Sequence, residues 1–230
     1  MKAEPYQVPL RNRLARSILR PIFRAIFYSL ASVRISGKEN IPQQGPYLIA
    51  MNHVSIVDPP FIIAFWPTCP EAIGAVEIWS RPGQAILVRL YGGIPVHRGQ
   101  VDRQVIDKML SVLQSGRPLV IAPEGERSHK PGMRRGLPGI AYATSQAQVP
   151  VVPVGISGTT DDFFHRVRNG ERPELEMNIG APLILPPITG SGEERRISRQ
   201  HYVDQIMYRI ACLLPEEYRG VYDGPISEAG

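Results

Sequence analysis

Residues 47–60, YLIAMNHVSIVDPP, decide the fold class, because they join a buried strand to the start of a helix. Residues 47–51 are a short apolar run, typical of a strand inside a sheet. Asp58 is a good helix N-cap and Pro59 suits the first helical position, which predicts a helix over 59–66. Residues 53–58 are then a turn at the carboxyl end of a strand, where open α/β sheets hold their ligands.

The same alternation of apolar runs and helical periodicity continues along the chain. It predicts an α/β fold, a mostly parallel sheet flanked by helices. The predicted strands are 73–76, 94–96, 118–122, 149–156 and 175–179, and the predicted helices are 84–91, 102–114, 137–147 and 202–214. Residues 190–199 are predicted to be a polar loop.

Length and composition limit the class of protein. The chain has 230 residues, of which 43% are hydrophobic and 20% charged, enough for one α/β domain with an appendage and too apolar for a disordered chain. Cys69 and Cys212 lie far apart without metal-ligand spacing, so we expect a reducing compartment, no disulfide framework and no metal site. No run of 18 uncharged apolar residues occurs, so we expect no membrane-spanning helix.

The positive charge is confined to the N-terminus. The formal net charge is +5, and residues 1–30 account for all of it with six basic side chains and one acidic one, Glu4. The six basic residues are Lys2, Arg11, Arg13, Arg16, Arg20 and Arg24. A charge-balanced body without a recognisable motif argues against a nucleic-acid-binding fold, although a basic arm could still grip nucleic acid.

Residues 14–33 have the pattern of an amphipathic basic helix. Arg16, Arg20 and Arg24 recur at every fourth position, with apolar residues around much of the remaining surface. One interpretation is a helix packed on the domain with a solvated arginine edge, and a transit peptide is another. We favour a helix in a membrane interface, its apolar face among acyl chains and its arginines among anionic headgroups. We therefore divide the chain into an N-terminal membrane-binding region, 1–35, and an α/β domain, 36–230.

His53 and Asp58 are the first candidates for chemistry. A turn over 53–58 can bring the Asp58 carboxylate back to the imidazole, where it would fix the tautomer and stabilise the charged form, as a general base requires. The alternative is a loop histidine beside a helix-capping aspartate.

A second cluster, PEGERS at 123–128, also follows a buried strand. Glu124 and Arg127 should therefore lie at the same end of the sheet as His53, and Gly125 permits close approach of a ligand. Four basic residues occur within nine positions, which favours an anionic substrate, unless they form a solvated loop. They are Arg127, Lys130, Arg134 and Arg135.

A third cluster, GGIPVHR at 92–98, ends in an arginine that could bind phosphate with its forked guanidinium. His97 competes with His53 as a base, but it has no acidic neighbour in sequence. We interpret His97 as structural or as a residue behind the site.

These clusters, in this order, resemble the glycerolipid acyltransferase family, in particular the bacterial 1-acyl-sn-glycerol-3-phosphate (lysophosphatidate) acyltransferases. The resemblance covers about residues 45–160 and rests on four blocks, 52–58, 92–98, 123–128 and 149–154. It implies that His53 is the general base and that Asp58 orients it. It also implies that Arg98 holds the substrate phosphate.

The remaining site residues follow from the same resemblance. Glu124 and Gly125 would shape the glycerol site of the acceptor, Arg127 would add phosphate contacts, and Pro153 would shape the acyl-donor side. The chain departs from the family pattern at Ala122, where a bulky apolar residue is usual, and at Glu126, where a threonine is usual. His97 stands where an acidic residue is usual.

The expected function is transfer of an acyl group from acyl-CoA or acyl-carrier protein to the hydroxyl of a lysophosphatidate, without a cofactor or a covalent enzyme intermediate. We expect the protein on the cytoplasmic side of the cell membrane, attached peripherally or monotopically. Glu126 keeps another lysophospholipid or a glycolipid open as the acceptor. A different class, a membrane lipid-binding protein with a degenerate site, is the second alternative.

Overall fold

A computed structural model describes residues 6–97 and 103–224. In these residues the chain forms a sheet of seven strands in the order β1-β7-β6-β2-β5-β3-β4. The strands are β1 Ser32–Ser36, β2 Leu48–Met51, β3 Glu71–Ala75, β4 Ile94–Val96, β5 Leu119–Ile121, β6 Val151–Ser157 and β7 Glu174–Ile179. Strands β2 to β6 are parallel to one another, and β7 runs antiparallel to β6. The expectation of a mostly parallel sheet is confirmed.

The helices that flank this sheet are α1 Leu10–Leu30, α2 Asp58–Phe65, α3 Gln84–Tyr91, α4 Arg103–Gln114, α5 Gly139–Ala147, α6 Phe163–Arg168, α7 Gly192–Ala211 and α8 Glu216–Arg219. Alternate residues of β2 face opposite sides, as the pleat of a strand requires. Leu48 and Ala50 belong to a core shared with α4, α5 and α7. Ile49 and Met51 belong to a core shared with α1 and α2.

The structure adds helices α6 and α8 to the predicted elements and differs from the prediction at α7 and β1. The predicted polar loop 190–199 is wrong, because α7 already begins at Gly192. Ser191 and Glu194 form a capping box there, each side chain bonding the other's backbone amide. Strand β1, absent from the prediction, pairs with β7, so the sheet begins before the boundary that we drew at residue 35.

Arg16, Arg20 and Arg24 of α1 donate hydrogen bonds to the protein, which corrects the expectation that these three arginines lie among lipid headgroups. Arg16 is 2% exposed. Arg20 donates to the carbonyl oxygens of Ile63 and Trp66, and Arg24 donates to that of Ala64. These carbonyls lie at the C-terminal end of α2, where a helix leaves its acceptors unpaired and favours positive charge.

The opposite face of α1 is apolar and points outward. Its large side chains recur at every fourth position and are 42% to 67% exposed. They are Leu10, Leu14, Ile18, Ile22 and Ile26. We call these five residues the outer stripe of α1.

None of the helices in the described residues is both long enough and apolar enough to cross a membrane.

Candidate active site

The carboxyl ends of β2, β5 and β6 meet at one edge of the sheet, and the loops that follow them build the site. Asn52 ties the first loop to β6, since its side-chain amide donates to the Ile156 carbonyl oxygen (2.9 Å) and its side-chain oxygen accepts from the Ile156 amide (2.7 Å). Asn52 is 1% exposed, so these bonds are shielded from water. The backbone of His53 is thereby fixed directly beyond the end of β2.

His53 and Asp58 form the pair that the sequence predicted. The distance from His53 Nδ1 to Asp58 Oδ2 is 2.8 Å. The same oxygen accepts the backbone amides of Val54 (2.7 Å) and Ser55 (2.9 Å), so it acts as an acceptor and Nδ1 as the donor. The other ring nitrogen, Nε2, then carries the lone pair. The side chain of His53 is 18% exposed, enough for contact with a substrate.

The Asp58 carboxylate is buried, with 0% exposure, at the start of α2. Its second oxygen, Oδ1, accepts a hydrogen bond from the hydroxyl of Thr159, which lies in the loop after β6. The N-terminus of α2 adds a favourable field for a negative charge. Both carboxylate oxygens are therefore held, one against His53 and one against the loop after β6.

Glu124 holds the backbone of His53 from the other side. Its two carboxylate oxygens accept the backbone amides of His53 and Arg134, each at 2.8 Å. The residue is 4% exposed. Burial raises the pKa of Glu124 to about 7, against the opposing effect of the two amides. This carboxylate connects the loops after β2 and β5, and the part in shaping the acceptor's glycerol site that the resemblance implies for it stays a prediction.

Two further backbone bonds join the loops after β2 and β5. The amides of Ser128 and His129 donate to the carbonyl oxygens of His53 (2.9 Å) and Val54 (3.1 Å). Gly125 has a φ of +75°, and a Cβ at that position would collide with the side chain of Leu137. The left-handed backbone therefore favours glycine, whereas the exposed side chain of Leu137 could move aside.

Arg127 is brought close to His53, as predicted. Both residues line one cavity, and the Arg127 side chain is 14% exposed. Its guanidinium lies 3.4 Å from the carboxylate of Asp161, which also accepts from His129 Nδ1 at 2.9 Å. The arginine is thus oriented by Asp161 at the edge of the cavity that it lines together with His53.

The cavity at His53 is mainly apolar and has a volume of about 170 Å³. It extends between α1, α2, β3 and α3. Its apolar walls include Leu19, Phe23, Ile63, Ile73, Trp79 and Leu87. A hydrocarbon chain suits such walls, and His53 and Arg127 supply polar groups at the same cavity.

A second cavity, of about 210 Å³, also includes His53. His97, Gly125 and Glu126 line it. The carboxylate of Glu126 lies 2.6 Å from the guanidinium of Arg134, so it offsets part of the positive charge of the loop. The acidic side chain that departs from the family pattern is therefore at the site.

One predicted residue within the described ranges, Pro153, does not join this group. Pro153 is buried within β6, opposite Ala50 of β2, and does not line the two cavities at His53. Arg98 lies outside the described residues. Sequence reasoning missed Thr159 and the bracing role of Glu124, because their partners lie 101 and 71 residues away and no local pattern marks such pairs.

A hydroxyl group on an amphiphilic substrate can meet His53 Nε2 while its hydrocarbon tail occupies the apolar cavity. General-base attack by a hydroxyl on an acyl carbonyl group is the reaction that this arrangement supports best. Fold and site together define an acyltransferase that handles lipids.

Comparison with known proteins identifies the family. A family model described as acyltransferase matches residues 32–157. A lyso-ornithine lipid O-acyltransferase of Pseudomonas aeruginosa is 30% identical over 210 residues, which cover 84% of this chain and 76% of that protein. The chain belongs to the acyltransferase family.

Other relatives carry lysophosphatidate in their names. The human 1-acyl-sn-glycerol-3-phosphate acyltransferase alpha is 25% identical over 186 residues, covering 79% of this chain and 64% of its own length. The corresponding enzyme of Borreliella burgdorferi is 28% identical over 143 residues, covering 60% and 57%. The crystal structure of the Thermotoga maritima enzyme PlsC has a TM-score of 0.64 at 23% identity, covering 88% of this chain and 79% of that one, and confirms the fold.

Proposed function

We propose that the protein transfers a fatty acyl group from acyl-CoA or acyl-carrier protein to the free hydroxyl of 1-acyl-glycerol-3-phosphate, giving phosphatidate. The observation that carries this proposal is the His53–Asp58 pair, 2.8 Å apart, at an apolar cavity that also holds Arg127. The names of several relatives support the same substrate.

The proposed reaction needs one base and no cofactor. His53 Nε2 takes the proton of the acceptor hydroxyl while the oxygen attacks the thioester carbonyl carbon. Asp58 stabilises the imidazolium that forms. When the tetrahedral intermediate collapses, the carbon–sulfur bond breaks, and the leaving thiolate receives the proton from His53. The new ester and the free thiol account for every atom and proton.

The substrate groups are assigned by charge and polarity. Arg127 would bind the acceptor phosphate, since it lines the cavity at His53 and a guanidinium can form forked bonds with phosphate oxygens. Arg98 stays a predicted phosphate ligand, and Pro153 stays a predicted neighbour of the acyl donor. The apolar cavity would take an acyl chain. Glu124 and Gly125 would shape the acceptor site through the loop positions that they fix.

A lipid substrate requires contact with a membrane, and we propose that the outer stripe of α1 provides it. Ile86 and Leu90 of α3, 63% and 44% exposed, add to the apolar surface. Exposed arginines on the same helices, Arg11, Arg13 and Arg89, would suit an anionic surface. The protein would bind peripherally to the cytoplasmic face, the side on which acyl-CoA and carrier protein are available.

Introducing negative charge on the outer stripe tests this attachment. We expect Ile18→Glu combined with Ile22→Glu to abolish cosedimentation with vesicles of anionic phospholipid. A pair of glutamates in the acyl region is strongly unfavourable, whereas both positions are exposed in the folded protein. Ile197→Glu on α7, where the isoleucine is 55% exposed, is the matched control and should bind as wild type does. Unchanged binding of the double variant would contradict the attachment.

An assay with defined substrates tests the reaction. Purified full-length protein is incubated with labelled palmitoyl-CoA or palmitoyl-carrier protein and with each of a panel of lysolipids. We expect label in phosphatidate when 1-acyl-glycerol-3-phosphate is the acceptor. Label in none of the products would contradict the proposal.

An amino-acid lipid is the second candidate for the acceptor. It is favoured by Glu126, whose carboxylate lines a cavity at His53 and attracts an ammonium group more than a phosphate. It is also favoured by the lyso-ornithine lipid acyltransferase among the relatives. Lyso-ornithine lipid therefore belongs in the panel, together with Glu126→Thr. If Glu126 selects a cationic acceptor, Glu126→Thr should lower the rate with lyso-ornithine lipid relative to the rate with lysophosphatidate.

A further inference from the structure

Thr159 is a buried residue at the site that the reaction described above does not use. It follows β6 and has 0% exposure. Its hydroxyl donates to Oδ1 of Asp58, 101 residues earlier in the chain. It is not among the residues that line the two cavities at His53. The contact that joins Thr159 to the catalytic pair is therefore its hydrogen bond to Asp58.

The bond to Thr159 fixes the plane of the Asp58 carboxylate. Oδ2 accepts from His53 Nδ1 and from the amides of Val54 and Ser55, all on one side of the group. Without Thr159, only the bonds at Oδ2 would resist rotation about the Cβ–Cγ bond, and Oδ1 would lose the hydroxyl as a donor in a buried site. Thr159 supplies that donor and keeps Oδ2 aimed at the imidazole.

The backbone before Thr159 is itself held in place. Gly158 has a φ of +84°, and a Cβ there would collide with the carbonyl oxygen of Glu174. The Gly158 amide donates to the hydroxyl oxygen of Tyr218 on α8 at 2.9 Å. A glycine-only turn bonded to the C-terminal helix thus presents the threonine hydroxyl from a rigid position.

We propose that Thr159 is a positioning residue for acyl transfer, acting through Asp58 to hold His53 in the orientation and tautomer that the base requires. The proposal rests on the functions assigned above to His53 and Asp58. It adds a third side chain, from a third loop, to the catalytic pair. Thr159 does not contact the substrate, so its loss should slow the chemical step and leave substrate binding nearly intact.

Thr159→Val keeps the shape of the side chain and removes the hydroxyl. We expect kcat to fall about 10-fold to 100-fold, the effect of losing a hydrogen bond to a buried charged group. KM for both substrates should stay within about twofold, since only the base is misaligned. Thr159→Ser restores a hydroxyl and should recover most of the loss in kcat.

The pH dependence of kcat/KM gives a readout that a purely structural residue would not move. Without the hydroxyl, the negative charge on Asp58 is less dispersed and stabilises the imidazolium of His53 more strongly, so the acidic limb of the kcat/KM profile should shift to higher pH. Other charged or titratable groups near the pair are Glu124, Arg127 and Tyr218 and, in the second cavity, His97 and Glu126, and the substitution leaves all five in place.

Thr144→Val is the matched control. Thr144 is 1% exposed on α5, and its hydroxyl bonds only the Ile140 and Ala141 carbonyl oxygens of its own helix. The substitution removes a buried hydroxyl away from the catalytic pair and should leave kcat and the pH profile as in wild type. Melting temperatures of all variants show how much of each effect is due to stability.

The experiment is steady-state transfer from palmitoyl-CoA to the best acceptor, with His53→Ala measured in parallel. A slow Thr159→Val with near-normal KM, a shifted acidic limb and recovery by Thr159→Ser supports the proposal. A Thr159→Val rate within threefold of wild type, an unmoved limb, or no recovery by serine overturns it. If His53→Ala keeps its activity, the proposed catalytic roles fail as a whole. If His53→Ala is inactive and Thr159→Val is active, only this inference fails.

Discussion

Two buried carboxylates, Asp58 and Glu71, lie at opposite ends of the sheet and are held in different ways. Both have 0% exposure. Asp58, at the carboxyl end, is held by backbone amides, a hydroxyl and an imidazole. Glu71, at the start of β3, is held by the guanidinium groups of Arg16 (2.6 and 2.7 Å) and Arg117 (2.7 Å) and by the hydroxyl of Tyr6 (2.7 Å).

The hydrogen-bond partners of Asp58 and Glu71 determine whether the negative charge of each carboxylate is neutralised. Burial by itself would raise the pKa of Glu71, but the bonds to Arg16, Tyr6 and Arg117 lower it below its ordinary value. That carboxylate is neutralised and joins α1 to the sheet. Asp58 has donors without a permanent charge, so its negative charge stays available to an imidazolium. One end stabilises the fold, and we propose that the other supports the chemistry.

The largest effect is expected at the catalytic end. We expect Asp58→Asn to lower kcat about 10³-fold to 10⁴-fold, the loss known for the equivalent change in the Ser-His-Asp triad, because an amide can hold the imidazole in the wrong tautomer. Transfer assays at saturating substrate measure it. Asp223→Asn, at an exposed pair with Arg219, is the control. A rate within tenfold of wild type would show that Asp58 does not orient the base.

The opposite end should respond in stability. Arg16→Met leaves Glu71 buried with less compensation, and we expect it to lower the free energy of unfolding by about 3 kcal/mol, with kcat of the folded protein nearly unchanged. Urea denaturation measures the first quantity. Arg196→Met, at a surface pair with Glu193, should leave the denaturation midpoint where it is. A large loss of kcat in folded Arg16→Met would contradict the separation of the two ends.

The buried carboxyl group of Glu124 should make the free energy of unfolding depend on pH. Its pKa, raised by burial to about 7, exceeds the ordinary value of 4.5, so the folded state binds a proton that the unfolded state has lost. Glu124 therefore contributes about 3 kcal/mol to the free energy of unfolding below pH 4.5. This contribution is lost as the pH rises to 7. Urea denaturation from pH 4.5 to 7.5 should show this slope in wild type and not in Glu124→Gln. Equal slopes would contradict the assignment.

The smallest effect distinguishes the two faces of α1. Leu14 is 58% exposed on the outer stripe, so we expect Leu14→Gln to change the free energy of unfolding by no more than about 0.5 kcal/mol. Urea denaturation of this variant and of Arg16→Met, two residues along the same helix, gives the comparison. A loss comparable to that of Arg16→Met would show that the outer stripe is packed against the protein in solution.

The two faces of α1 determine which variants can test membrane attachment. Deleting residues 1–30 would remove Arg16 and leave Glu71 with less compensation, so a loss of membrane binding by that variant would have two causes. Substitutions on the outer stripe leave the arginine contacts in place. They separate membrane attachment from folding.

Much of the sheet was predictable, because short apolar runs and helical periodicity are local. The predicted strand 94–96 and helix 84–91 coincide with β4 and α3. Strand β1 was missed because its five residues, SVRIS, follow a helical pattern directly and only two of them are apolar. The first part of α7 was missed because its charged residues resemble a loop, although Ser191 and Glu194 carried the capping signal.

The site was predictable where its partners are close in sequence. His53 and Asp58 are five residues apart, and a turn is enough to pair them. Periodicity correctly gave α1 two faces, but it cannot tell which face meets the protein, so Arg16 was placed in the membrane interface. Its partner, Glu71, lies 55 residues away. Thr159 needed the fold, since only the sheet order brings β6 beside β2.

The measurement that tests the central claim most directly is kcat for acyl transfer by His53→Ala, with acyl-CoA as donor and the preferred lysolipid as acceptor. General-base assistance contributes on the order of 10² to 10⁴ in rate, so we expect a fall of at least 100-fold with the melting temperature preserved. His201→Ala, an exposed histidine on α7 that bonds Gln205, should match wild type. A folded His53→Ala that keeps most of the wild-type rate would contradict the account.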